Sequence, residues 1–182
     1  MTILIKGGTV INPDRCIKSD VLIEDGMVGR VEQNLNLPAD EVIHAGGCYV
    51  FPGFIDTHTH FDLDLGFTVT ADDFKTGTRA ALLGGTTTAL DFATQDRGGT
   101  LQSALDVWHQ KARYSSCNYG FHMAIAEWNE QTYNEMEVMT HEGVTSYKMY
   151  MVYEALRFAI FCQRKRAAYA GVPWGISESG FY

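Results

Sequence analysis

The feature that most constrains this chain is a change of rhythm at Pro52-Gly53. Beyond it, β-type runs alternate with helical patterns at short, regular spacing. Residues 54–59 and 86–92 read as strands, the second β-branched at its start. Residues 119–126 and 144–151 read as two more. Between them lie three amphipathic segments, 71–83, 101–114 and 130–142. The first starts beside Asp72-Asp73 and stops at Gly84-Gly85, as helix capping requires. The second places Leu101, Leu105 and Trp108 on one face, and the third ends at Gly143. Right-handed crossovers make the four strands parallel neighbours. The expected architecture is α/β, a partial (β/α)8 TIM-type barrel of about four β/α units.

The first fifty residues lack helical periodicity. Short apolar runs flank Gly7-Gly8, Asp25-Gly26 and Gly46-Gly47. Asp25-Gly26 is a strong hairpin signal, because the primed turns need positive φ. This part is expected to form a small antiparallel β-sandwich segment over residues 1–51, followed by barrel over 52–157. Residues 158–182 carry a basic cluster, Arg164-Lys165-Arg166, and lose the strand–helix rhythm; they read as a divergent tail. A complete barrel needs about 250 residues, more than the 182 here.

Composition narrows the function. The net charge of −8 repels phosphate backbones and anionic lipid, so neither nucleic acid nor membrane is an expected partner. Cys16, Cys48, Cys117 and Cys162 form no Cys-x-x-Cys pair, which fits reduced thiols and a cytoplasmic location. The amino terminus has too short an apolar run for a signal peptide.

The chemistry concentrates at strand ends. His58 and His60 are two residues apart on an expected strand, so both rings project from one face and Thr57 and Thr59 from the other. They fall at the carboxyl end of the first barrel-type strand, where such barrels place active sites. They are therefore read as metal ligands, although zinc requires at least three protein ligands. Lys148 sits in an apolar strand, where an ammonium is costly unless paired or modified. Reaction with carbon dioxide would turn it into an anionic carbamate able to bridge two metals; a snorkelling lysine is the simpler alternative. Tyr153, just past that strand, could donate to a developing oxyanion. Tyr150 shares the face of Lys148 and could wall a pocket, as could Leu63, Leu65 and Phe67 in the loop after the histidines. Asp91 and His122 are read as packed interior residues, and His44, His109 and His141 as bystanders.

Five stretches carry a resemblance: Gly53-Phe-Ile-Asp-Thr-His-Thr-His60, Leu83-Gly-Gly-Thr-Thr-Thr88, Asp91-Phe-Ala-Thr-Gln95, Tyr119-Gly-Phe-His-Met-Ala124 and Ser146-Tyr-Lys-Met-Tyr-Met151. Over residues 1 to about 157 the chain resembles the amino-terminal half of the dihydropyrimidinase and D-hydantoinase family of the amidohydrolase superfamily. The resemblance implies a sandwich joined to a barrel, two zinc ions and a tetramer. It implies that His58 and His60 bind the more buried metal, that carboxylated Lys148 bridges both, and that Tyr153 polarises the scissile carbonyl. The implied reaction opens a small cyclic diamide, a dihydropyrimidine or hydantoin, to an N-carbamoyl amino acid. Related dihydroorotases carry an arginine two residues after the second histidine; Asp62 stands there and favours an uncharged ring. The family also uses two later histidines and a late aspartate, whereas here no histidine follows His141 and no aspartate follows Asp106. Hydrolysis is accordingly expected to be impaired by truncation. The alternative is a non-catalytic assembly module, like the collapsin response mediators, which form tetramers without the metal site.

Overall fold

A computed structural model describes residues 1–150. The chain divides into two compact units, one spanning Met1–Phe54 and the other beginning at Ile55. Tyr153 and the tail 158–182 lie outside the described residues.

The first unit is a five-stranded sheet. β1 (Thr2–Asn12) pairs antiparallel with β2 (Arg15–Glu24), which pairs antiparallel with β3 (Met27–Glu32). Asp25 and Gly26 both have positive φ, 50° and 81°, so the expected primed turn joins β2 to β3. β4 (Glu41–His44) and β5 (Tyr49–Val50) both lie parallel to β1, adding a parallel edge to the antiparallel sheet.

The two glycine pairs serve as different breaks between the apolar runs that flank them. Gly7-Gly8 does not separate two strands. It forms a β-bulge inside β1, where the register with β2 shifts between Ile5 and Gly8 and Gly7 takes φ 73°. Gly46-Gly47 does not turn β4 back on β5. It carries the chain past the bulge, so that β4 pairs with residues 3–6 of β1 and β5 with residues 9–10.

A small core of Leu4, Leu22 and Leu35 lies under this sheet. Buried Asp20 holds the loop containing Leu35 in place. Its carboxylate accepts from the Gly7 amide at 2.7 Å and the Leu35 amide at 2.9 Å. Lys6 Nζ donates to the Leu35 carbonyl at 2.7 Å. A buried carboxylate is tolerated here because its oxygens meet donors.

The second unit has the anticipated alternation. β6 (Phe54–Thr59), β7 (Thr86–Thr94), β8 (Asn118–Ile125) and β9 (Tyr147–Met149) are neighbours in that order in one sheet. β7 to β8 and β8 to β9 are parallel. The intervening helices are α1 (Phe74–Leu83), α2 (Leu101–Ala112) and α3 (Glu130–His141). The result is a curled half-barrel sheet of TIM type.

Each helix starts at a side-chain cap. Asp73 and Thr76 form a reciprocal capping box on α1, Thr100 caps α2 and Asn129 caps α3. α1 therefore begins at Phe74, three residues after its expected start, because Asp73 takes extended backbone to accept from Thr76. Leu101, Leu105 and Trp108 face inward, and with Phe74, Met123, Ile125, Met136 and Met139 they build the layer between helices and sheet. Gly77 on α1 is required by packing, since a Cβ there would run into the Phe61 ring. That contact ties α1 to the residue following His60.

Candidate metal centre

β6 delivers its side chains alternately to the two faces of the half-barrel. His58 and His60 project inward with Phe92 of β7, His122 of β8 and Lys148 of β9. Thr59 and Asp91 project outward, toward the helices. Period-two geometry thus sorts the polar residues of this sheet into an inner group and an outer group.

The inner group surrounds the Phe92 ring. Its centroid lies 4.7 Å from that of His58, 5.0 Å from His60 and 4.8 Å from His122. Lys148 Nζ stands 4.4 Å from the same centroid and 4.9 Å from the Tyr150 ring. Among the described residues no carboxylate pairs with Lys148; its charge faces aromatic rings instead. Desolvation pushes the Lys148 amine below its ordinary pKa.

His58 Nε2 and His60 Nε2 face each other at 3.2 Å. Partial desolvation, stronger at half-buried His60 than at the more exposed His58, lowers both rings below the ordinary histidine pKa, and the Lys148 charge lowers them further. Both effects favour neutral imidazoles, the form that ligates metals. His60 Nδ1 is buried without a hydrogen-bond partner.

This arrangement fits a metal ion. Two Zn–N bonds of ~2.0–2.1 Å at a tetrahedral angle separate their nitrogens by about 3.3 Å, close to the 3.2 Å found. Lys148 adds a third group from the facing strand. Among the described residues no cluster of three or more His, Cys, Asp or Glu side chains exists that could hold a metal.

His122 is occupied elsewhere. Its Nε2 donates to the Thr57 carbonyl at 3.0 Å, and its Nδ1 meets the Ser146 hydroxyl. It spans from β8 to β6 and braces the backbone beside His58. Tyr150 is half-buried beside Lys148. Leu63 packs against the core between helices and sheet. Leu65 lies in a small hairpin closed by its amide to the Thr68 carbonyl at 2.8 Å and by the Thr70 amide to the Leu63 carbonyl at 3.0 Å. Phe67 at its tip is 75% exposed.

Three features escaped the sequence reading. Phe92 gives no polar signal, yet it is the surface on which the inner group is arranged. Asp91, read as ordinary packing, accepts four hydrogen bonds. Lys111 of α2 donates to the Asp62 carbonyl at 2.6 Å and stacks over Trp108 at 4.4 Å. The one available clue to Asp91 was a carboxylate inside an apolar strand.

A half-barrel sheet with paired histidines at the end of its first strand defines a class of metal-dependent hydrolases. Residues 49–156 match the model of the amidohydrolase family, and the chain belongs to that family. Among curated proteins it is 46% identical over 156 residues to a D-hydantoinase of Geobacillus stearothermophilus, covering 85% of this chain and 33% of that one. It is 46% identical over 157 residues to a dihydropyrimidinase of Dictyostelium discoideum, covering 84% and 31%. Among solved structures, the dihydropyrimidinase of Brevibacillus agri superposes with a TM-score of 0.84 at 42% identity, covering 87% of this chain and 35% of that one. The chain spans about a third of the length of these relatives.

Proposed function

We propose that this chain carries the first half of a zinc-dependent site for ring-opening hydrolysis of a cyclic amide, a dihydropyrimidine or hydantoin, giving an N-carbamoyl amino acid. The observation that carries the reading is the approach of His58 Nε2 and His60 Nε2 to 3.2 Å, with Lys148 on the facing strand. The naming of its relatives as hydantoinases and dihydropyrimidinases supports the substrate class.

His58 and His60 would hold the more buried of two zinc ions, and Lys148, once carboxylated, would bridge both. Bound zinc would supply Lewis-acid activation of water and carbonyl. Phe92 would give the two histidine rings an apolar surface to pack on, its centroid 4.7 and 5.0 Å from theirs. Tyr153 would donate a hydrogen bond to the developing oxyanion. Tyr150 and Leu65 would wall a pocket for an uncharged ring, with Leu63 anchoring its loop to the core between helices and sheet rather than lining the pocket, and Asp62 would disfavour a carboxylate-bearing one. Cys16, Cys48 and Cys117 are unpaired, which suits a cytoplasmic site for the reaction. The assembly would be a homo-oligomer, a tetramer by family likeness, acting on a small molecule with no role for nucleic acid or membrane. Among the described residues no helix is long and apolar enough to cross a membrane.

A second reading has one observation in its favour. β3 is exposed along its whole length at an edge of the first sheet, as a strand awaiting a partner would be. On that reading the chain is a metal-free assembly module. Metal analysis of the purified protein with zinc and bicarbonate, together with turnover of dihydrouracil and hydantoin, separates the two. Bound zinc that is lost in a His58→Ala, His60→Ala variant supports the hydrolase site. Neither zinc nor turnover, in a folded chain, overturns it.

A further inference from the structure

Asp91 is 1% exposed and carries a full set of donors. One oxygen, Oδ2, accepts from Thr59 Oγ1 at 3.0 Å and from the Phe61 amide at 2.7 Å. The other, Oδ1, accepts from Trp108 Nε1 at 2.9 Å and from the Phe92 amide at 2.7 Å. Thr59 and Phe61 are the two neighbours of His60 in sequence. A single carboxylate oxygen therefore holds the chain on both sides of that histidine, from the face opposite its ring.

We propose that Asp91 is a positioning residue that fixes His60 opposite His58 by holding the residues on either side of it, Thr59 through its hydroxyl and Phe61 through its backbone amide.

Three observations support more than a packing role. A buried carboxylate without a cation is an expensive way to fill a core, and an apolar side chain would do so at lower cost. No neutral side chain of similar size accepts four hydrogen bonds through two oxygens. The clamp also acts where β6 ends and regular pairing no longer fixes the backbone. The next residue, Asp62, has φ 50°, and its carbonyl is held by Lys111 of α2, the helix that also carries Trp108. Trp108 and Lys111 are three residues apart and so share a helix face. α2 thereby meets the outer oxygen of Asp91 through Trp108 and the loop after His60 through Lys111.

The proposal rests on the reading that the histidine pair binds metal, and the test separates the two. Zinc affinity of the full chain is measured by calorimetry, thermal stability by its unfolding midpoint, and the His60 ring by nitrogen-15 NMR of metal-free protein. Asp91→Ala removes both halves of the clamp. Thr59→Val removes one of the two donors flanking His60, a hydroxyl shared between Asp91 Oδ2 and the Leu90 carbonyl at 3.0 Å each, with little change of shape. Trp108→Phe removes a donor from the outer half only and serves as the stability control. Losses of 10- to 100-fold in zinc affinity are expected for Asp91→Ala, the range typical of residues that orient ligands. Thr59→Val should lose affinity in the same direction, while Trp108→Phe lowers the midpoint and leaves affinity within threefold. The His60 ring signals should move in Asp91→Ala and Thr59→Val, and stay in place in Trp108→Phe. Should Asp91→Ala not fold, Thr59→Val decides alone. Affinity that follows the midpoint across all variants, with unmoved His60 signals, overturns the proposal. A wild-type chain that binds no zinc overturns the metal reading, and the metal-free NMR comparison still decides the role of Asp91.

Discussion

At the scale of single residues, His122 shows how an interior histidine can be essential to geometry and unavailable to a metal. The Thr57 carbonyl can only accept, so Nε2 of His122 carries the hydrogen in their contact. The Ser146 hydroxyl completes Nδ1. Replacing His122 by phenylalanine should cost about 1–3 kcal/mol in urea denaturation, because the Ser146 hydroxyl and Thr57 carbonyl lose a partner. Zinc at the proposed site should keep its stoichiometry, because neither ring nitrogen is free, while its affinity falls with the brace beside His58; unchanged affinity would show that the brace does not reach the histidine pair. The convergence of His58 and His60 was legible in the sequence because strand period fixes which side chains share a face. Phe92 was not, because an apolar residue in an apolar strand is indistinguishable from its neighbours until the sheet curls. Asp91 was half-legible, since its position in an apolar run marks it as satisfied without revealing by what.

At the scale of elements, two of the three helix starts, at Leu101 and Glu130, were readable to the residue, and α1 began three residues late. Asp73, Thr100 and Asn129 are all residues that cap, and all three do so. Asp73 also predicts a pH effect. Hydrogen bonds from Thr76 hold its carboxyl below the ordinary value of 3.8. Its contribution is therefore fully present above the unfolded pKa and is lost as pH falls through the lower, folded one. Asp73→Asn retains a capping oxygen but cannot titrate, so its melting temperature should fall less than that of the wild type between neutral pH and pH 3. An identical acid decline in both would show that the cap does not contribute to it. The glycine pairs were the least readable elements. Gly-Gly licenses a turn, a bulge or a detour equally, and only the pairing of β4 and β5 with β1 decides among them. That pairing joins residues some forty positions apart, beyond the reach of any local pattern.

At the scale of the whole chain, the strand–helix alternation after Pro52-Gly53 made the half-barrel legible, since crossover handedness leaves few ways to arrange such units. The edges of the sheets were not legible in the same way, because an edge is defined by what lies beyond it. β3 exposes Met27 and Val28 at 73% and 63%, and such strands recruit partners. Val28→Lys should shift the chain toward smaller species in sedimentation velocity at micromolar concentration if β3 is a contact; an unchanged distribution would assign association to another surface. The Phe92 ring has a further consequence. It lies on β7 and touches side chains from β6, β8 and β9, so it samples every strand of the second sheet at once. A fluorine on that ring would make the protein its own reporter. Ion entry between the histidines, modification of the lysine and flattening of the sheet would each move one resonance in a different way, with no substrate required.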